Sequence, residues 1–192
     1  MSDKTKDPNQ FVLPLVRLSY AKLFKAEGFK GADENKKFSC NFILDKEKHA
    51  GVIKKMKARI AEILKENKVK LKADKIFLKD GDGEGEAEEV EGCYFLAASN
   101  SKRPQTIRSE GGSNVPVTED DANEMDILYS GCYVDGVIRV WYQDNQWGKR
   151  INASLEVTRH RKSGEKFGAG NVNADDVLDD LPEDDDCDLD DI

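Results

Sequence analysis

An arginine set between two aromatic side chains on one face of a β-strand is a combination that grips single-stranded nucleic acid. Residues 132–143 carry it. Val134, Gly136, Ile138, Val140 and Tyr142 alternate onto one face, a core face, while Tyr133, Asp135, Val137, Arg139 and Trp141 fall on the other. Bases stack on such rings, each worth ~1–3 kcal/mol, and a guanidinium takes a phosphate or stacks in turn. The same residues also suit a plainer arrangement, with Trp141 packed under a loop and Arg139 running past it. Further cations and a second tryptophan favour the binding reading. Trp147 is followed by Lys149 and Arg150, then by Arg159, His160, Arg161 and Lys162, and Lys102 and Arg103 lie upstream. Any one of these runs is an ordinary solvated surface; together they gather positive charge among rings. The expected base-stacking residues are Tyr133, Trp141 and Trp147. The expected phosphate contacts are Lys102, Arg103, Arg139, Lys149 and Arg150.

The overall charge of −8 and pI of about 5.0 argue against a polyanion partner until the chain is divided. Residues 175–192 hold eleven of the 38 carboxylates and no Lys or Arg, leaving 27 acids against 30 basic residues before them. The body is modestly basic and carries its own polyanion. Like-charge blocks of this kind form disordered interaction tails. A tethered tail sits at an effective concentration in the millimolar range, enough to compete with DNA for a basic groove and, once displaced, to recruit basic partner proteins. The residues expected to do this are Asp184, Asp185, Asp186, Asp188, Leu189, Asp190, Asp191 and Ile192.

Other chemistry finds little support. The chain contains no GxxxxGK[ST], GxSxG, HExxH or CxxC motif, and its two histidines, His49 and His160, are far apart. Cys40, Cys93, Cys132 and Cys187 lack the close pairing of zinc ligands. The first three sit among strand-like apolar residues and read as small buried hydrophobes in a reducing compartment. Asp80 to Glu91 nearly matches a calcium-binding loop, with acids at positions one, three, five and twelve and glycine at six. However, position five is the bulkier Glu84, position eight is Ala87, and a strand-like segment follows where a helix is required. A solvated acidic loop is the better reading. No enzyme activity, metal or cofactor is expected. A DNA mimic acting through its acidic segments is the alternative function, and a metal-dependent nuclease a more distant one.

The elements that position these residues are mostly strands. Residues 11–24 read as a strand with Pro14 keeping its first part at an edge. Residues 36–44 alternate, with Phe38, Cys40, Phe42 and Leu44 on one face. Asp45 is expected to cap a helix over roughly 46–66, with Ile53, Met56, Ile60 and Ile63/Leu64 inward and a lysine-rich outer face. Residues 92–98 and 104–108 form two further strands joined by a tight turn, and 132–143 with 150–159 form the strongest hairpin. One helix among antiparallel strands predicts a small β-barrel. The division is a flexible N-terminus at 1–10, one domain over 11–167, and a linker and disordered acidic tail over 168–192. No apolar run approaches a membrane span and the N-terminus is no signal peptide, so a soluble protein is expected.

Four strings taken together carry a resemblance: Ser99 to Pro104, Asp126 to Tyr133, Trp147 to Ala153 and Gly164 to Gly168. In this order and spacing, over roughly residues 12–168, the chain resembles a bacteriophage family of single-stranded DNA-binding proteins formerly catalogued as a domain of unknown function. It is similar in plan to the T7-type phage single-stranded DNA-binding protein. The resemblance implies an OB-fold, a five-stranded antiparallel barrel with one α-helix. It also implies sequence-nonspecific binding of single-stranded DNA in phage replication, recombination or repair, in the bacterial host cytoplasm. An acidic C-terminal tail is part of the family plan. Tails of this class often end in an aromatic residue, whereas this chain ends Asp190-Asp191-Ile192. Oligomeric state is not legible.

Overall fold

The computed structural model describes residues 7–28, 35–83 and 88–167. Eight strands occur in chain order: β1 (Gln10–Glu27), β2 (Lys37–Asp45), β3 (Leu78–Asp80), β4 (Cys93–Asn100), β5 (Gln105–Glu110), β6 (Ser113–Pro116), β7 (Tyr133–Asn145) and β8 (Gly148–Lys162). Two α-helices join them, α1 (Ala50–Glu66) and α2 (Glu119–Glu124). The sheet order is β3-β4-β2-β1-β7-β8-β5-β6, and a parallel contact of β4 with β8, Ala98 opposite Ala153, closes a five-stranded barrel of β1, β2, β4, β8 and β7. This is the expected mainly β, OB-type barrel.

The alternation in the sequence is what closes it. Leu13, Val16, Leu18, Phe42, Leu44, Leu96, Val134, Ile138, Ile151 and Leu155 are all completely buried inside. Ile53, Met56, Ile60 and Ile63 bring α1 onto that core. A β-carbon at Gly136 would stand 2.7 Å from the Phe42 ring, so glycine there leaves room for that ring in the barrel core. Cys40 and Cys132 are buried; burial pushes the Cys132 thiol up to about 11 and Cys40 upward as well.

Several boundaries differ from expectation. α1 begins at Ala50, because Asp45 spends its side chain on the backbone N–H groups of Glu47 and Lys48 (2.9 Å each) in a turn that precedes the helix. Lys46, expected on the outer face of the helix, precedes it and pairs with Asp80 and Asp82. Those two acids of the 80–91 segment thus share one lysine, and among the described residues no group of three or more His, Cys, Asp or Glu is placed to hold a metal ion. Residues 10–16 pair with β7 alone, and Pro14 falls in an irregularity of that ladder, where no N–H is needed. Asp7 to Gln10, expected in a flexible N-terminus, belongs to the barrel: Val140 N–H donates to the Asn9 carbonyl at 2.8 Å, and Arg59 Nε to the Asn9 side chain. The short helix α2 was not anticipated. Its signal is Thr118 three residues before Asp121, a reciprocal capping box.

Candidate nucleic-acid interface

One concavity crosses the outer face of β2, β4 and the start of β8. It encloses about 600 Å³. Its floor is made of small or short polar side chains, Ser39, Asn41, Ala97, Ser99 and Asn152. These are the outward positions of strands whose inward positions fill the core; period-two alternation makes both at once. Cations and a ring stand at its margins: Lys22, Lys75, Lys79, Arg150 and Tyr20.

Tyr20 is the feature sequence reasoning missed. It is 73% exposed and adopts a left-handed backbone conformation, φ 47°, at a register shift between β1 and β2. An L-residue there costs roughly 1–2 kcal/mol. A bulge of this kind re-aims a side chain, and here it turns an aromatic ring out to solvent beside the groove. The sequence hides it, because Tyr20 continues the phase of the inward Val16 and Leu18 and alternation alone would turn it into the core.

The predicted residues divide. Arg150 lines the groove, exposed and without an ion pair among the described residues. Trp141 lies directly across from the groove residue Asn152 in the β7–β8 ladder and is 41% exposed, on the same face of the sheet as Asn152. Trp147, 79% exposed, forms the tip of the β7–β8 hairpin with Gln146. Lys149, three residues before Asn152, pairs with Asp144 at 3.4 Å. Lys102 and Arg103 are exposed in the turn after β4; Arg103 lies over the Phe24 ring at 5.4 Å, which sets that turn near Lys22.

Tyr133 and Arg139 stand elsewhere. Tyr133 is eight residues from Trp141 on one strand, about 26 Å at 3.3 Å per residue. Its ring is occupied by Arg17 at 5.6 Å and Lys162 at 4.6 Å. Arg139 does share a face with Trp141, but its guanidinium donates to Glu156 at 2.7 Å and to Asp7. The basic run at the end of β8 is also engaged. Asp135 is buried and accepts from Arg159 (2.5 Å), Arg161 (3.0 Å) and the Leu15 N–H (2.9 Å). Burial pushes its carboxyl up, yet the Leu15 N–H and the two arginines outweigh that and hold it below the usual range.

The groove on the β2–β4–β8 face is bordered by the Tyr20 ring, by Lys79 and Arg150, which have no ion pair among the described residues, and by Lys22 and Lys75, which pair with Glu27 and Asp74. The closed β-barrel that carries it is the fold that comparison with known proteins recovers. Residues 9–188 match the family model described as Enterobacter phage Enc34, ssDNA-binding protein. The chain belongs to this family. The single-stranded DNA-binding protein of bacteriophage Enc34, solved in complex with ssDNA, is similar at 33% identity with a TM-score of 0.73, over 84% of this chain and 91% of that one. Protein p50 of Acyrthosiphon pisum secondary endosymbiont phage 1 is 30% identical over 177 residues, 86% of this chain and 90% of its own length. The single-stranded DNA-binding protein gp2.5 of bacteriophage T7 shares the fold, with a TM-score of 0.53 at 12% identity, over 88% of this chain and 98% of that one.

The Enc34 family is one of binding proteins and not of enzymes. Among the described residues, no helix is long and apolar enough to cross a membrane. The tail residues Asp184, Asp185, Asp186, Asp188, Leu189, Asp190, Asp191 and Ile192, and the proposed linker from Gly168, lie outside the described residues.

Proposed function

We propose that this chain binds single-stranded DNA, without sequence preference, in the groove over β2, β4 and β8. The observation that supports the reading is a groove with a floor of small side chains, bordered by the solvent-facing Tyr20 ring and by Lys79 and Arg150, which have no ion pair among the described residues. Bases stack on Tyr20, Trp141 and Trp147. Arg150, Lys102, Arg103 and Lys149 meet phosphates, together with Lys22, Lys75 and Lys79 on the groove margins. A floor of Ser, Ala and Asn gives no fixed donor pattern that would select one base, so affinity comes from stacking and charge. The solved complex of the Enc34 relative with ssDNA supports the ligand class.

The acidic tail competes with DNA for the groove and, when displaced, is free to engage replication or recombination proteins. The setting is phage DNA replication, recombination or repair in the host cytoplasm. Salt dependence is the signature of the phosphate contacts: log K falls with log salt at about 0.7 per phosphate neutralised on a single strand.

A titration of labelled single strands and duplex, with the full chain and with residues 175–192 removed, tests both parts. Tight binding of single strands that tightens further without the tail, most at low salt, is the expected result. A body that ignores single strands sinks the binding reading and leaves the acidic segments as a DNA mimic. Unchanged or weaker affinity after the deletion sinks the competition alone.

A further inference from the structure

A second concavity lies between the first half of β1 and α1, enclosing about 610 Å³. Its walls are apolar: Phe11, Val12 and Pro14 from β1, Val52 and Ala58 from α1. Val12 is 56% exposed and nearby Leu15 42%. The two carboxylates of the lining are already held, Asp7 by Arg139 and Glu62 by Arg59. Lys55 also lines the groove and Lys54 stands beside it on α1, both exposed and without an ion pair among the described residues.

Gly51 lines the same groove, in the first turn of α1. Glycine within a helix costs about 0.5–1 kcal/mol relative to alanine. Its φ is not positive, and nothing lies within 4 Å of where a β-carbon would stand. Neither the backbone nor the packing asks for glycine. What the missing side chain does is leave the groove open.

We propose that this groove is a dock for the chain's own segment Asp175 to Pro182, with Val177, Leu178 and Leu181 on the apolar wall and the intervening carboxylates toward Lys54 and Lys55. The segment reads Asp-Asp-Val-Leu-Asp-Asp-Leu-Pro, acids in pairs between apolar residues, the complement of an apolar groove flanked by unpaired lysines. Chain length fits as well. Phe167 is anchored beside β1: its N–H donates to the Ser130 carbonyl at 3.0 Å and its ring lies 4.1 Å from the Arg17 guanidinium. Arg17 is five residues along β1 from Val12, about 17 Å. Val177 follows Phe167 by ten residues, which span up to about 33 Å. The same chain therefore reaches the groove with slack, and tethering raises its local concentration to the millimolar range. A second copy has no such advantage. Docking there leaves only the last ten residues, Glu183 to Ile192, free to meet DNA or a partner, so it sets how far the tail reaches. The dock itself requires nothing of the DNA groove.

Amide resonances of the full-length, isotope-labelled chain test it without DNA. Replacing Val177, Leu178 and Leu181 together by serine is expected to shift the amides of Val12, Gly51, Val52 and Lys55 and to leave those of Ser99 and Asn152 in place. Gly51→Trp, which fills the groove, is expected to shift the amides of residues 176–181, while Gly51→Ala leaves them close to wild type. Groove amides that do not respond to the triple serine variant overturn the proposal. So do shifts that disappear on dilution, because they assign the groove to the tail of another copy.

Discussion

The two ends of the β7–β8 ribbon look alike in sequence and differ in what their charges face. Near the hairpin, Trp141 and Trp147 are exposed, and Arg150 lines the groove with no ion pair among the described residues. Toward the other end, Arg159 and Arg161 close on Asp135 and Arg17 lies between the Tyr133 and Phe167 rings, and in mid-strand Arg139 is held by Asp7 and Glu156. One end presents cations; the other spends them on holding strands together. A basic run in a sequence counts charges, whereas a binding surface needs charges left over after folding.

That contrast can be broken most forcefully at the rings. Tyr20→Ala with Trp141→Ala should weaken binding of a single-stranded oligonucleotide by about 100-fold, from two stacking losses of ~1–3 kcal/mol each, with the melting temperature little changed. Fluorescence anisotropy and thermal unfolding read the two effects. Near-wild-type affinity in the folded double variant would remove the groove from consideration.

At the opposite end the expected loss is stability. Asp135→Asn leaves two arginines partly buried beside a neutral side chain and should cost about 2–3 kcal/mol in chemical denaturation, with affinity per folded molecule unchanged. Because the folded Asp135 carboxyl sits below its usual range, its contribution is fully present above the unfolded value of about 3.9 and is lost as pH falls through the lower, folded value. The wild type should therefore lose its advantage over the Asn variant below about pH 4. A stability difference that persists unchanged into that range would contradict the assignment.

Salt sharpens the comparison with a smaller effect. Arg150→Ala should lower the slope of log K against log salt by about 0.7, while Arg139→Ala leaves the slope alone because its charge is already matched by two carboxylates. Equal changes in slope would erase the distinction between the two ends. The smallest effect belongs to Lys149→Ala: with Asp144 at 3.4 Å, an exposed pair worth about 0–1 kcal/mol, affinity should fall by no more than about fivefold in the same titration.

Much of the barrel was legible because alternation is local. The inward faces of β2 and β7 and the buried stripe of α1 follow from side-chain period alone, and the hairpin from its turn residues. The start of α1 was not, since Asp45 satisfies backbone donors equally well in a turn as in a helix cap. Within the site, Trp141, Trp147 and Arg150 were legible as an outward ring-and-cation pattern. Tyr20 was hidden because its exposure comes from a bulge, a mismatch between two strands that neither strand records by itself.

By itself the sequence determined which residues of β2, β7 and α1 face inward, that a long helix follows β2, and that eleven carboxylates are set apart from a basic body. Each of these is a property of neighbours along the chain. Only the tertiary structure decided which cations remain available. Asp135 meets Arg159 and Arg161, and Glu156 meets Arg139, across strand registers; a shift of one residue would send every one of those side chains to the other face.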